Sequence, residues 1–380
     1  MYISQLSVTA FRNYAQADVT LQPGVTVFVG ANGQGKTNLL EALEYLSTLN
    51  SHRVAVTAPL VLNGENQALI RAKVVAGVAD PRTLLLELEL NPGAANRARL
   101  NRVPTQPKQL PAALRTVLFT PDDLAIVKGA PGERRDFIDT LVSTRWPRFI
   151  GVRSDLAKVL KQRNALLKQV AHAGGRLDET STVTLEVWDE RLVGFAAELI
   201  AARITTLRDL APHLSAAYAS IAPTAEHASA EYVPTAPPAP EADPTTPATW
   251  ANALTKALAA KRSEELRAGV TLLGPHRDDI LLQIGDFQAK GYASHGESWS
   301  LALALKLAAY QLLRADGIAA VLLLDDVFAE LDEQRRARLA ANIADAEQVL
   351  ITAAVDDDVP KVLQGTRLQV VAGSVTPTTE

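Results

Sequence analysis

Gly30-Ala31-Asn32-Gly33-Gln34-Gly35-Lys36-Thr37 is the stretch whose reading decides the fold. It fits G-x-x-x-x-G-K-[ST], the pattern of a phosphate-binding loop. Upstream, Val25 to Val29 is a short apolar run rich in β-branched residues, as a buried strand requires. Downstream, Asn38 to Leu46 sets Leu39, Leu40, Leu43 and Leu46 at helical spacing. The glycines therefore sit between a strand and a helix N-terminus, where free N–H groups and the helix dipole both favour an anion. Lys36 is expected to reach the β- and γ-phosphates, and Thr37 to offer its hydroxyl to Mg²⁺.

The chain has 380 residues, 47% apolar and 21% charged, which is globular composition with room for one large or two ordinary domains. It has no cysteine, so disulfides and thiolate metal sites are excluded. Met1 to Leu6 lacks the basic and apolar regions of a signal peptide, and the apolar stretches 301–313 and 317–324 are too short or too polar to cross a bilayer. The expectation is a soluble cytoplasmic protein with no membrane partner. Net charge is −4, mildly against a nucleic-acid binder, although local patches outweigh totals.

Along the chain, residues 2–29 read as strands, and residues 67–103 alternate as an antiparallel meander around the Asp80-Pro81 and Asn91-Pro92-Gly93 turns. Helical patterns follow at Glu133–Val142, Phe149–Val170, Leu185–Leu210 and Trp250–Arg267. The segment 234–248 holds six prolines and reads as a loop. Strand character returns at Gly269–Ile284. The predicted organisation is α/β: residues 1–120 and 270–380 as one lobe, with a mostly helical insert over 121–269.

Ala320 to Leu324 is a uniformly apolar run ending in Asp325-Asp326, as suits a strand buried on both faces. Carboxylates at its C-terminal end project into the crevice where α/β sheets bind ligands. Asp325 is the expected Mg²⁺ ligand. Asp326 is the expected residue that orients or deprotonates the attacking water. The alternative is an ordinary helix cap. Between loop and acids, Ser294-His295-Gly296-Glu297 opens an apolar helix from Trp299 to Leu313. Ser-x-Gly at a helix start can bind an anion or serve simply as an N-cap.

The order of loop, Ser-x-Gly helix start and acidic strand resembles the ABC-type ATPases. Further blocks narrow the resemblance to the RecF family: Phe11-Arg12-Asn13-Tyr14, the loop continued through Asn38-Leu39-Leu40-Glu41-Ala42, Thr120-Pro121-Asp122-Asp123-Leu124 with Val127-Lys128-Gly129, Arg134-Arg135, Gly274-Pro275-His276-Arg277-Asp278-Asp279, and Leu324 to Asp332. The blocks run from residue 11 to 332 in the family's order. The resemblance implies an ABC-type ATPase lobe (mixed sheet, flanking helices and an antiparallel meander) plus a helical lobe. It implies ATP and Mg²⁺ as ligands, an ATP-driven homodimer, binding to duplex DNA near single-strand gaps, work with RecR and RecO in loading RecA, and slow, DNA-stimulated hydrolysis. By position, Gly30, Ala31, Asn32, Gly33, Gln34, Gly35, Lys36, Thr37 and Asn38 hold the nucleotide. Ser294 and Gly296 complete the site of a second copy, Thr37 and Asp325 hold the metal, and Asp326 with Lys36 carries the chemistry. Glu297 departs from the commoner glutamine, and Asp332 matches the aspartate of the dimer-interface loop. The strand at 349–352 offers no switch histidine, and Thr352 stands in its place. Asp122 and Asp123 fall at the lobe junction, as caps or as nucleotide sensors. A transporter ATPase subunit, an SMC-type ATPase with coiled-coil arms and an inactive scaffold are the competing classes. The insert lacks heptads, and the acidic and basic site residues are intact.

From Leu141 to Arg176, Arg145, Arg148, Arg153, Lys158, Lys161, Arg163, Lys168 and Arg176 face one acid, Asp155. The stripe is a candidate DNA contact or a solvated helix face. Arg71, Lys73, Arg97, Arg99 and Arg102 on the meander form a second candidate.

Overall fold

The computed structural model describes residues 1–222 and 226–378. Residues 223–225, inside the predicted insert, and 379–380, at the end of the predicted first lobe, lie outside it. In chain order the strands are β1 Tyr2–Phe11, β2 Tyr14–Thr20, β3 Gly24–Val29, β4 Ala68–Gly77, β5 Asp80–Leu90, β6 Arg97–Leu100, β7 Val103–Thr105, β8 Thr116–Phe119, β9 Ala228–Val233, β10 Asp279–Ile284, β11 Phe287–Gln288, β12 Val321–Asp325, β13 Gln348–Ala353, β14 Gly365–Val371 and β15 Ser374–Pro377. The fold is α/β. Its residues fall into two compact units: Met1–Leu124, His213–Glu226 and Ser294–Glu380 form the first, and Ala125–Pro212 with His227–Ala293 the second.

The first unit holds two six-stranded sheets. One is wholly antiparallel, in the order β2-β1-β4-β5-β6-β7, and is the meander. The other is mixed, in the order β15-β14-β3-β13-β12-β8. Its strands β14, β3, β13, β12 and β8 run parallel, and β15 closes the edge antiparallel. Helix α1, Lys36–Thr48, places Leu39, Leu40, Leu43 and Leu46 in the core cluster that both sheets share. Each buried leucine there is worth roughly 2 kcal/mol of burial. The buried Gln348 side chain stitches the sheets together: Oε1 accepts from Ile3 N–H at 2.8 Å, and Nε2 donates to the carbonyls of Ile3 at 2.8 Å and Gln22 at 3.0 Å. An amide so placed satisfies backbone groups that a shared core would otherwise strand.

The second unit carries the helices Pro131–Arg145, Arg148–His172 and Pro247–Ala268, and most of Glu179–Ile221. It also holds a three-stranded sheet, β11-β10-β9. The return to the first unit therefore comes at Ser294 and not at 270. Strand β10 pairs with β9 from Asp279↔Val233 to Ile284↔Ala228, which keeps it in the second unit. The pattern of β9, Ala-Ser-Ala-Glu-Tyr-Val, is too short and too polar to announce a strand without its partner.

The Gly274–Asp279 block pins this unit. Arg134 makes a two-point ion pair with Asp279 at 2.8 Å, and Arg135 donates to Asp278 O at 2.7 Å. Asp278 accepts from Tyr232 OH at 2.6 Å and from the Thr235 N–H and hydroxyl at 2.7 and 2.6 Å. Arg203, buried, binds Asp139 at 2.7 Å and Pro275 O at 2.8 Å. Burial raises the Asp278 carboxyl above its ordinary range against these hydrogen bonds. Charges buried this thoroughly persist only when each is paired.

Candidate nucleotide-binding site

Strand β3 delivers the loop. Parallel pairing sets Phe28 level with Thr352, and Thr352 level with Asp325, so the C-terminal ends of β3, β13 and β12 align. The backbone turns at Gly30, whose N–H donates to Ala353 O at 3.2 Å. A Cβ at Gly30 would lie 2.3 Å from Val370 O, so only glycine lets the loop pass β14. At Gly35, φ is +112° and a Cβ would lie 2.6 Å from the Asn13 amide. Helix α1 begins at Lys36 with no side-chain cap, so its start can receive an anion at the N–H groups ahead of Asn38, whose own N–H donates to Gly35 O at 3.0 Å.

Lys36 is 3% exposed, and its Nζ donates to Gly30 O at 2.7 Å and Ala31 O at 3.2 Å, which curls the ammonium over the loop. Thr37 Oγ1 donates to Asp325 Oδ1 at 2.8 Å, and Thr352 Oγ1 donates to the same oxygen at 2.7 Å. Burial raises the Asp325 carboxyl above its ordinary range, although both hydroxyls oppose the shift. A carboxylate short of compensation beside a threonine hydroxyl is a hard-oxygen donor set that fits Mg²⁺. The ion needs no cage of several acids, because phosphate oxygens and water supply the remaining positions. Among the described residues no cluster of three or more His, Cys, Asp or Glu could hold a metal by itself.

Asp326 follows in the left-handed region, at φ 49° and ψ 21°. Its N–H donates to Thr352 Oγ1 at 2.8 Å, and its Oδ1 lies 3.4 Å from the same hydroxyl. A non-glycine residue in this region carries strain of about 1 kcal/mol, tolerated where the surroundings over-determine it. Thr352 thus touches both acids.

A second layer escaped the sequence reading. Thr37, Glu41 and Glu44 share one face of α1, and the chain after Leu49 folds back along it. Glu41, fully buried, accepts from Arg12 Nε at 2.8 Å and Ser51 Oγ at 2.6 Å. Burial would raise its carboxyl, but these bonds and the guanidinium outweigh it and hold the group below its ordinary range. His52 Nδ1 lies 2.6 Å from Glu44 Oε2. Burial pushes His52 down, while the Glu44 bond, Asp325 and Glu41 together lift it above its ordinary value. The available signal was three polar residues at i, i+4 and i+7 on a helix that also has an apolar face. Beside this layer, Arg12, Asn13, Asn38, Arg53, Pro59 and Leu62 are among the residues lining a cavity of about 630 Å³, large enough for a nucleoside.

Ser294 and Gly296 make no hydrogen bond to residues 30–37 among the described residues. Ser294 Oγ accepts from Glu297 N–H at 3.2 Å, and Glu297 Oε2 accepts from Ser294 N–H at 2.8 Å. The reciprocal pair is a capping box opening the helix His295–Ala315, a role that glutamate fills as glutamine would. Asp332 caps the helix Glu333–Ile343 through Arg335 N–H at 2.8 Å. Asp123 caps Thr120 N–H at 2.8 Å and pairs with Lys306 at 2.8 Å, a helix-start role.

The basic stripe is not what the charge count suggests. Arg163 is fully buried, bonded to Asp189 at 2.8 Å, Glu265 at 2.6 Å and Thr271 at 2.8 Å. Arg145 is buried against Thr206 and Asp209, Arg148 pairs with Glu198 at 2.6 Å, and Arg153 lies 3.4 Å from Asp139. Lys158 is exposed and paired with Asp155, while Lys161, Lys168 and Arg176 are exposed. On the meander all five cations are exposed, Arg71 pairing with Glu87 at 2.8 Å and Arg97 with Glu89 at 3.5 Å.

Comparison with known proteins supplies the family. Residues 2–374 match the RecF/RecN/SMC N terminal domain. The chain is 52% identical over 385 residues to the DNA replication and repair protein RecF of Cutibacterium acnes, covering 99% of this chain and 98% of that one. It is 54% identical over 379 residues to RecF of Streptomyces avermitilis, covering 99% of each. Among solved structures, the recombination mediator protein RecF-ATPrS in the RecFOR pathway superposes with TM-score 0.88 at 27% identity, over 100% of this chain and 98% of that one. An SMC head bound to the C-winged helix domain of ScpA superposes at 0.57 with 16% identity over 100% of this chain and 97% of that one, a likeness of fold alone. The chain belongs to the RecF family of DNA replication and repair proteins.

Proposed function

We propose that this chain is an ATP-dependent DNA-binding protein of recombinational gap repair, a recombination mediator acting with RecO and RecR. The observation that carries the nucleotide reading is the Thr37–Asp325 contact at 2.8 Å, which gathers phosphate loop and acidic strand into one hard-oxygen site. ATP occupies the loop, with its nucleoside in the cavity beside Arg12 and Arg53. Thr37 and Asp325 would hold Mg²⁺, which would neutralise charge on the phosphates. Lys36 leaves its carbonyl partners for the phosphate oxygens. Asp326, adjoining Thr352, holds the attacking water and takes its proton. Hydrolysis is slow and DNA stimulates it.

In this reading nucleotide binding is read out as assembly. The Ser294–Gly296 helix start of a second copy completes the site, and the closed homodimer holds duplex DNA near single-strand gaps, helping to load RecA. Exposed Lys158, Lys161 and Lys168 are the DNA contacts, in place of the buried Arg163. The transporter-subunit alternative has no observation in its favour. Among the described residues no helix is long and apolar enough to cross a membrane.

Sedimentation with and without ATP and gapped DNA tests the proposal. The expected result is a dimer only with ATP, lost in Lys36→Ala and trapped in Asp326→Asn. A monomer under all conditions overturns dimerisation as the readout.

A further inference from the structure

The phosphate loop is braced by two other turns of the chain. On one side stands the turn between β1 and β2. Asn13 Nδ2 donates to Gln34 O at 3.0 Å, Asn13 Oδ1 accepts from Asn38 Nδ2 at 2.8 Å, and Tyr14 OH donates to Gly35 O at 3.0 Å. On the other side stands the tight turn between β14 and β15. There Ala372 N–H donates to Gln34 Oε1 at 2.6 Å, and Gly373 N–H donates to Gln34 O at 3.3 Å. Both turn residues lie in the left-handed region, at φ 48° and 77°, which aims two successive N–H groups at Gln34. Gln34 therefore spends its side-chain oxygen on the C-terminal hairpin, and its carbonyl is shared between Asn13 and Gly373. The loop's curvature is set before any phosphate arrives, and a preformed cradle binds more tightly than one that must be ordered.

We propose that the C-terminal hairpin Gly365–Pro377 is a positioning element of the nucleotide site, acting through Gln34 to hold the loop in its phosphate-binding shape. The inference rests on the nucleotide reading above and deepens it. Gln34 is a positioning residue, and Gly373 is its partner across 339 residues of chain, a count that follows from their numbers. The hairpin is thereby a point at which anything that displaces the C-terminal turn weakens ATP binding.

Two substitutions approach the contact from opposite ends. Gln34→Met keeps the length and removes the acceptor. Gly373→Ala puts a Cβ 3.1 Å from Asn13 O at a φ that disfavours any side chain, lifting the turn from the loop. Affinity for MgADP and MgATP is measured by calorimetric titration on the full chain, with steady-state hydrolysis and thermal unfolding alongside. Each variant is expected to weaken both nucleotides about threefold to tenfold, the worth of one or two hydrogen bonds. KM should rise while kcat at saturation stays within about twofold, the mark of lost uniform binding. The double variant should be no weaker than Gly373→Ala alone, because lifting the turn already breaks the Ala372 bond that Gln34→Met removes. Unchanged affinity in Gly373→Ala, or losses that add in the double variant, would overturn the proposal while wild-type binding keeps the nucleotide reading intact. Failure of the wild-type chain to bind either nucleotide would overturn both.

Discussion

Thr37 and Asp325 share one hydrogen bond of 2.8 Å across a sequence separation of 288 residues. The bond holds the start of α1 against the end of β12. It also leaves a buried carboxylate whose charged form is disfavoured in the ligand-free protein. In the proposed reading, function and stability therefore pull in opposite directions at this aspartate.

Asp325→Asn should show both sides. The amide keeps an acceptor for Thr37 and Thr352 and removes the buried charge. Ligand-free unfolding by urea should become more difficult by about 1 kcal/mol, while the Mg²⁺ dependence of ATP binding disappears. A destabilised variant with intact Mg²⁺ dependence would contradict the assignment.

At Asp326 the backbone and the side chain can be tested apart. Asp326→Asn should retain ATP and lower kcat by about a hundredfold or more. Asp326→Gly should lose the same activity but relieve the left-handed strain at φ 49°, raising stability by about 1 kcal/mol. A normal hydrolysis rate in Asp326→Asn would remove the residue from the chemistry.

His52 gives the first unit a pH dependence. Its folded pKa lies above the unfolded value of about 6.5. The stabilisation is therefore fully present below that value and is lost as pH rises through the folded pKa. Urea midpoints should fall on going from pH 6 toward alkaline pH, and Glu44→Gln should flatten this slope. A slope that persists in Glu44→Gln would assign it to other groups.

His276 acts in the opposite sense in the second unit. Burial pushes it down to about 4, and its Nδ1 has no hydrogen-bond partner among the described residues. Stability should be fully present above the unfolded value of about 6.5 and be lost as pH falls toward 4. His276→Gln is expected to move acid unfolding to lower pH, read by circular dichroism.

Arg163 and its exposed neighbours should separate cleanly. Arg163→Ala leaves Glu265 buried without its guanidinium and should cost about 3–5 kcal/mol. Lys161→Glu with Lys168→Glu should leave stability within about 0.5 kcal/mol. The same pair should weaken duplex binding and reduce the slope of log affinity against log salt. Unchanged affinity and slope in the double lysine variant would remove this helix as a contact.

What the sequence disclosed was the arrangement of contiguous residues. The loop, the acidic strand and the α/β class need only a short window, because phosphate cradles and buried parallel strands write their requirements locally. Arg163 could not be read that way. Its partners stand 26 and 102 residues away, so the helix pattern shows a cation without showing what buries it. The same holds for Asn13 and Tyr14, whose partners in the loop lie 21 residues on. Glutamate at 297 serves as the N3 residue of a capping box, a place that the motif's glutamine would fill equally, so the substitution keeps the helix start.

The position of β3 bears on how the molecule is made. Its hydrogen-bonded neighbours, β13 at residues 348–353 and β14 at residues 365–371, lie far downstream of it in sequence. The meander, by contrast, closes on itself within residues 2–105. On the ribosome the meander can therefore assemble first, while β3 waits with two bare edges until residues 348–371 have been made. Non-local strand pairing of this kind slows folding and leaves edges open to other chains. The loop that follows β3 is therefore set only after strands made far downstream of it have arrived.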